Sequence, residues 1–136
     1  MTDALAVDLN YRKLWLALGW LLVGVVVYAS LTSSTPETLP FDDADKFGHL
    51  LAYAVLMGWF CQLFWSISDR LKLAAAFAVM GISLEFAQAL TGYRSFDYAD
   101  MLANVLGVAG GWMAIKTRLR YSLSAFDRYI SAVTAG

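Results

Sequence analysis

Residues 85–104 read Glu-Phe-Ala-Gln-Ala-Leu-Thr-Gly-Tyr-Arg-Ser-Phe-Asp-Tyr-Ala-Asp-Met-Leu-Ala-Asn, and this stretch decides how the rest of the chain is interpreted. It lies between two strongly apolar runs, and yet it carries the polar side chains Glu85, Gln88, Arg94, Asp97, Asp100 and Asn104. Ionisable groups are costly in a bilayer and usually face a protein interior, a cavity or a partner. The stretch is therefore the first place to look for a functional site.

The composition is that of a membrane protein. Of the 136 residues, 60% are hydrophobic and 15% are charged, and the mean hydropathy is +0.58. A soluble domain has about 45–50% apolar and about 25% charged residues. The net charge of −1 gives no reason to expect a nucleic-acid partner. The single cysteine, Cys61, cannot form an internal disulfide and lies in an apolar run, so we expect a small packed side chain.

Four apolar segments predict an all-α bundle of four transmembrane helices. They are residues 14–31, 47–67, 71–90 and 100–115. The first has 18 residues without a charge, enough for a span once flanking residues are included. A signal peptide is the alternative for this segment, because Val27-Tyr28-Ala29 resembles a cleavage site, but the apolar run is longer than the usual 7–15 residues. We therefore expect a membrane domain over 14–115, preceded by a short segment, 1–13.

The tail, residues 116–136, predicts an amphipathic helix that lies on the membrane surface. Its apolar residues recur at spacings of four, three and four: Leu119, Leu123, Phe126 and Ile130. Arg120, Asp127 and Arg128 fall elsewhere on the helical wheel. The tail is expected to serve as a membrane anchor.

The basic residues predict the orientation of the four helices. Eight of the ten lie in the N-terminal flank, the 68–72 connection or the tail, and only Lys46 and Arg94 lie on the other side. Because cytoplasmic loops are enriched in lysine and arginine, both termini are expected in the cytoplasm. The polar 91–100 loop then faces outward, and the lipid bilayer is the first partner of the chain.

With this topology, polar groups from three helices converge near the outer surface. Spacings of four place Asp45, His49 and Tyr53 on one face of the second helix. Glu85 and Gln88 lie near the outer end of the third helix. The fourth helix carries one stripe formed by Asp100, Asn104, Gly107 and Gly111. Its glycines allow another helix to pack closely below Asn104, and Arg94 and Asp97 are expected to lie over the cluster.

The cluster suits two kinds of chemistry. Glu85 and His49 are candidates for a general base or acid, and Lys46 and Arg94 are candidates to hold a phosphate or carboxylate. The full candidate binding set is Asp45, Lys46, Tyr53, Gln88, Arg94, Asp97, Asp100 and Asn104. A divalent metal on Asp97, Asp100, Glu85 and His49 is an alternative. These four residues lack a tight ligand motif, so no metal or other cofactor is expected.

Two other interpretations stay open. The polar side chains can form a hydrogen-bond network that only fastens the helices, which would fit a non-enzymatic assembly or interaction protein. A small ion-coupled carrier is less well supported, because the charges are confined to one end of the predicted bundle.

The polar residues also resemble a known family. The resemblance rests on Asp45-Lys46-Phe47-Gly48-His49 with Tyr53, Glu85-Phe-Ala-Gln88, Arg94-Ser-Phe-Asp97 with Asp100, and Asn104-Val-Leu-Gly107 with Gly111. In this order they are similar to the VanZ-like membrane proteins, small multi-helix bacterial proteins named after a teicoplanin-resistance protein. The resemblance covers roughly 14–115. It implies a bacterial cytoplasmic-membrane protein with an envelope role and assigns no reaction to it. A lipid-linked envelope precursor or an anionic headgroup is the expected ligand.

Overall fold

The computed structural model describes residues 8–32, 44–92 and 96–136. Within these ranges the chain is helical and contains no strand. The helices are α1 (Arg12–Leu31), α2 (Ala44–Leu63), α3 (Ile67–Leu90), α4 (Tyr98–Ala114), a 3-10 helix (Arg118–Tyr121) and α5 (Ser122–Thr134). The all-α prediction is confirmed for the described part of the chain. Arg94 and the two prolines, Pro36 and Pro40, lie outside the described residues.

Helix α2 lies at the centre of the fold and contacts α1, α3 and α4. Large apolar side chains from α2 meet those of α3 and α4 in one core: Tyr53, Leu56, Met57, Phe60, Cys61, Phe77, Val108 and Ile115. Cys61 is fully buried, as its apolar surroundings in the sequence predict. The first residues of α2 and α4 and the last residues of α3 are therefore held at the same end of the molecule.

The closest approach is between α2 and α4. A β-carbon added at Gly107 would collide with the backbone of Leu50, and one added at Gly111 would collide with the backbone of Ala54. Small residues at such positions let two helix backbones approach closely. The predicted role of the glycine stripe is thus confirmed, and its neighbour is α2.

The connection between α2 and α3 comes earlier than the sequence predicts. Residues 64–66 form it, so the prediction that 47–67 is one helix followed by a connection at 68–72 is wrong. The guanidinium of Arg70 explains the difference, because it donates to the carbonyls of Phe64 at 2.8 Å and Cys61 at 2.7 Å. Cys61 lies in the last turn of α2 and Phe64 directly follows the helix, so both carbonyls lack partners within the helix. Arg70 can satisfy them only if it lies in the first turn of α3.

In the described part of the chain, two helices, α1 and α3, are long and apolar enough to cross a membrane. Only 11% of the most apolar window in α1 and 28% of that in α3 are buried inside the protein. The core helix of a soluble protein would be mostly covered. Exposed large side chains on the two helices include Trp20, Leu21, Val25, Tyr28, Val79, Phe86 and Leu90. An apolar surface of this kind indicates contact with a membrane.

The tail packs on the start of α1 through a buried carboxylate. Asp127 is 0% exposed, and it accepts hydrogen bonds from the backbone amides of Asn10 and Tyr11 and from the indole of Trp15. The expectation that Asp127 lies away from the packed face of the tail helix is therefore wrong. The physical reason is that the first amides of α1 have no acceptors within their own helix, and a carboxylate is stabilised at this end of the helix dipole.

The apolar stripe of the tail divides between two surroundings. Leu123 is buried with Trp15 and Leu63, whereas Leu119 and Phe126 are exposed.

Burial alone would raise the pKa of Asp127, but the hydrogen bonds from Trp15, Tyr11 and Asn10 outweigh it, so the pKa of this carboxyl lies below its usual value. Asp127 therefore stays ionised and holds α5 against the rest of the fold.

Candidate functional site

A layer of buried polar side chains lies where the start of α2, the end of α3 and the start of α4 meet. Four of its members are almost completely covered, namely Glu85, Gln88, Asp100 and Asn104. They come from two helices that run in opposite directions, so residues near the C-terminus of α3 reach the same level as those near the N-terminus of α4. Buried polar groups require partners, since an unsatisfied one is costly.

Asn104 links α2 to α4. Its side-chain oxygen accepts a hydrogen bond from Nδ1 of His49 at 3.0 Å. On the other side, Gly81 of α3 lies so close that a β-carbon there would stand 2.9 Å from the Asn104 side chain. Asn104 is thus enclosed by three helices, and it fixes the position of the imidazole ring. Gly81 was not among the predicted site residues, and the only sign of it in the sequence is a glycine one turn before Glu85.

Two carboxylates lie close to the imidazole and form with it a group of three potential metal ligands. Asp45, His49 and Asp100 each offer one ligand atom, and these atoms lie within 4.8 Å of one another. Nε2 of His49 is 3.8 Å from Oδ1 of Asp45, one helical turn earlier. Asp100 belongs to α4, one turn before Asn104. We refer to Asp45, His49 and Asp100 as the triad.

An ion pair borders the triad on its exposed side. Nζ of Lys46 lies 3.6 Å from Oδ2 of Asp97, and about two fifths of each side chain is accessible, 37% and 43%. The other oxygen of Asp97 accepts a hydrogen bond from the amide of Ala99 at 2.8 Å. Asp97 is therefore the N-cap of α4, a position at which aspartate is strongly preferred.

Glu85 and Tyr53 form a second, deeper group. Both are 1% exposed, and they are close enough for the charge of Glu85 to act on the Tyr53 hydroxyl. Tyr53 lies one turn below His49 and packs against Gly107. The metal-ligand group found among the described residues contains Asp45 rather than Glu85 or Asp97. Asp97 instead caps α4 and pairs with Lys46.

Gln88 is directed away from the triad. Its amide nitrogen donates to the carbonyl of Ser30 at 2.6 Å, which joins the end of α3 to the end of α1. Ser30 is buried, and the sequence marks it only as a polar residue in the last turn of an otherwise apolar helix. This contact fits a fastening role. The binding role of Gln88 stays a prediction.

The structure thus groups the described candidates into three sets. The triad lies with Asn104 and beside the Lys46–Asp97 pair, Glu85 lies with Tyr53, and Gln88 lies with Ser30. Arg94 belongs to residues 93–95, which the structure does not describe. The arrangement provides an imidazole, carboxylates and a lysine at one end of the helices.

Comparison with known proteins places the chain in a family. Neither the curated proteins nor the solved structures contain a significant match. A family model described as VanZ/LLP1 matches residues 11–120, which include α1 to α4 and every candidate site residue. The match covers well over half of the chain and agrees with the resemblance carried by the polar motifs. The chain therefore belongs to the VanZ/LLP1 family.

Proposed function

We propose that this protein spans the bacterial cytoplasmic membrane four times and binds an anionic group of a cell-envelope component at the outer end of its helices. The headgroup of a lipid-linked envelope precursor is the class of ligand that fits best. Binding of such a precursor would provide a route to glycopeptide resistance of the teicoplanin type. Family membership and the two apolar helices support the membrane location.

The proposal of four spans requires α2 and α4 to cross the membrane as well. Helix α2 carries Asp45, Lys46 and His49 in its first turns, and α4 has only 17 residues. At 1.5 Å per residue, α4 is about 25 Å long, slightly less than the roughly 30 Å of a hydrocarbon core. Polar residues within a membrane protein are tolerated where they face the bundle interior. The polar ends of α2 and α4 face each other, which supports their placement between α1 and α3.

The observation that carries the ligand proposal is the Lys46–Asp97 pair beside the buried polar layer. Partly exposed ion pairs contribute little free energy, at most about 1 kcal/mol. A phosphate can therefore replace Asp97 as the partner of Lys46 at small cost, and it gains a charge-assisted hydrogen bond. Arg94, three residues before Asp97, would supply a second cation. Glu85 and His49 are the groups that would transfer a proton if the bound component is also modified.

Binding of a polyprenyl phosphate to the detergent-purified full-length protein tests this proposal. Lys46→Gln is expected to weaken binding about tenfold, which corresponds to about 1.4 kcal/mol. Lys72→Gln is the matched control, because Lys72 forms a similar pair with Asp69 at 3.3 Å at the opposite end of the helices. Equal affinities of the wild type and both variants would refute the role of Lys46. Labelling of single cysteines placed in the 64–66 connection and in the tail checks the orientation, which requires both to be cytoplasmic.

A second function is favoured by a separate observation. The bonds from His49 to Asn104 and from Gln88 to Ser30 each join two different helices, as expected if the polar cluster only fastens the bundle of an assembly protein. Under this alternative, Glu85→Gln lowers thermal stability and leaves drug susceptibility per folded molecule unchanged. Under the modifying version of the first proposal, Glu85→Gln changes teicoplanin susceptibility of a dependent strain at equal protein level.

A further inference from the structure

We propose that Asp45, His49 and Asp100 bind one divalent transition-metal ion of the Zn²⁺ type, and that an anionic oxygen of the ligand completes its coordination. This proposal deepens the function proposed above and rests on it for the identity of the ligand. The metal site itself rests on three features of the described residues: the spacing of the triad, the orientation of His49 and the surroundings of Asp100.

The spacing of the triad suits a single ion. Its three ligand atoms lie within 4.8 Å of one another, and two ligands bound at about 2.1 Å to one tetrahedral Zn²⁺ are about 3.4 Å apart. A rotation of side chains would close the difference, and the Asp45 side chain is 43% exposed. The backbones are already fixed, because Gly107 and Gly111 hold α4 directly against α2.

The hydrogen bond to Asn104 sets the tautomer of His49. The Asn104 oxygen is only an acceptor, so Nδ1 of the imidazole carries the proton that is donated at 3.0 Å. In the neutral ring, Nε2 then presents a lone pair, and this atom lies 3.8 Å from the Asp45 carboxylate. The repulsion between these two electron-rich atoms is removed when a cation, a proton on Nε2 or a metal ion, lies between them. A metal-bound histidine typically donates its other N–H to a fixed acceptor, which is the role of Asn104 here.

The surroundings of Asp100 independently indicate a bound cation. It is 6% exposed, and its Oδ1 accepts no hydrogen bond from any residue that the structure describes. A buried carboxylate with an unsatisfied oxygen is costly. Asp45, Lys46 and the imidazole of His49 all lie close enough to act electrostatically on Asp100, so its carboxylate lies within this group. A divalent ion held by the triad would supply the missing partner.

The chemical nature of the three ligands indicates which metal ion would bind. Magnesium and calcium prefer sites made of oxygen atoms, whereas an imidazole favours zinc and related transition metals. Two carboxylates and one neutral imidazole balance the charge of a divalent ion. Three protein ligands leave a zinc coordination position open, as in catalytic rather than structural sites. Lys46 is close enough to act electrostatically on Asp100, so a phosphate bound at the triad would also be near the ammonium group.

The test is Zn²⁺ binding to the full-length protein in detergent, measured by calorimetry and by metal analysis after removal of loosely bound ions. We expect one Zn²⁺ per chain, a loss of at least tenfold in affinity for Asp100→Asn and for His49→Gln, and no change for Asp69→Asn at the opposite end. Asn104→Ala, which removes the positioning residue, should weaken binding by roughly 10–100-fold. Substitution with Co²⁺ should give visible absorption bands that disappear in His49→Gln.

Folding and ligand binding are measured on the same samples. Circular dichroism and size-exclusion chromatography identify a variant that does not fold, and His49→Gln replaces Asp100→Asn in that case. Absence of Zn²⁺ binding by the folded wild type, or equal Zn²⁺ affinity in wild type and folded His49→Gln, overturns the metal site. If polyprenyl phosphate binds equally well with and without a chelator, the metal proposal fails while the proposed function stands. If Zn²⁺ binds and polyprenyl phosphate does not, the triad is a metal site and the proposed function fails.

Discussion

Nδ1 of His49 and Oδ1 of Asn104 are 3.0 Å apart, and this hydrogen bond joins the two most closely packed helices of the molecule. His49 lies in the second turn of α2 and Asn104 in the second turn of α4. Asn104 is 1% exposed and also packs against Gly81 of α3. One amide therefore fixes the histidine and holds three helices together, so stability and function depend on the same contact.

Asn104→Ala is expected to destabilise the protein by about 1–3 kcal/mol, because it leaves the buried N–H of His49 without an acceptor. Thermal unfolding in detergent measures the change. The double variant His49→Phe with Asn104→Ala removes both polar partners and should lose less than the sum of the two single losses. Additive losses would show that the hydrogen bond contributes nothing of its own.

The approach of α2 and α4 can be tested with two neighbouring glycines. Gly111→Ala places a methyl group against the backbone of Ala54 and Gly58, so we expect a loss of about 1–3 kcal/mol from overpacking. Gly110 has nothing within 4 Å of an added β-carbon. Gly110→Ala should therefore be neutral or stabilising by up to about 1 kcal/mol. Similar melting temperatures for the two variants would contradict the tight packing of these helices.

Gln88 and Glu85 lie one turn apart on α3, and we expect their roles to differ. Gln88→Met removes the bond to the Ser30 carbonyl, so it should lower stability by about 1 kcal/mol, the usual contribution of a polar contact between membrane helices. Binding of polyprenyl phosphate by the folded fraction should not change. A folded Gln88→Met protein that no longer binds the phosphate would place Gln88 in the binding site, as the sequence predicts.

The polar layer could be predicted because it depends on periodicity and on the alternation of helix direction. Spacings of four put Asp45 and His49 on one face, and the reversal of the chain brings α3 and α4 to the same level. The grouping within the layer could not be predicted. Whether Glu85 meets Tyr53 or the triad depends on helix rotation, which is set by contacts such as that of Gly81 with Asn104.

The tail shows a further limit of prediction from the sequence. A helical wheel assigns Asp127 to the solvent side because it counts aspartate as polar. It contains no information about the unpaired amides at the start of α1, more than a hundred residues earlier. The same reason explains the shifted connection at 64–66, since Arg70 is attracted to the carbonyls of a different helix. Long-range partners of charged side chains determined both features.

The contact of Asp127 with α1 predicts how the tail responds to acid. Asp127 accepts bonds from Asn10 at 2.8 Å, Tyr11 at 3.0 Å and Trp15 at 2.7 Å, and its pKa in the folded protein is lowered. A carboxyl with a lowered pKa adds stability that is complete above its unfolded pKa, about 3.9. This stability is lost as the pH falls through the folded pKa. We expect hydrogen exchange in α5 to stay slow down to about pH 4 and to become faster at lower pH, after correction for the intrinsic exchange rate.

Asp127→Asn is the matched control, because the amide has the shape of the carboxyl group but does not titrate in this range. The variant should already lose about 1.5–3 kcal/mol of α5 protection at neutral pH, the contribution of hydrogen bonds to a charged group. Its corrected exchange should then change little between about pH 6 and about pH 3. If wild type and Asp127→Asn instead show the same pH dependence, the carboxylate does not hold α5 on α1, and the acid response has another origin.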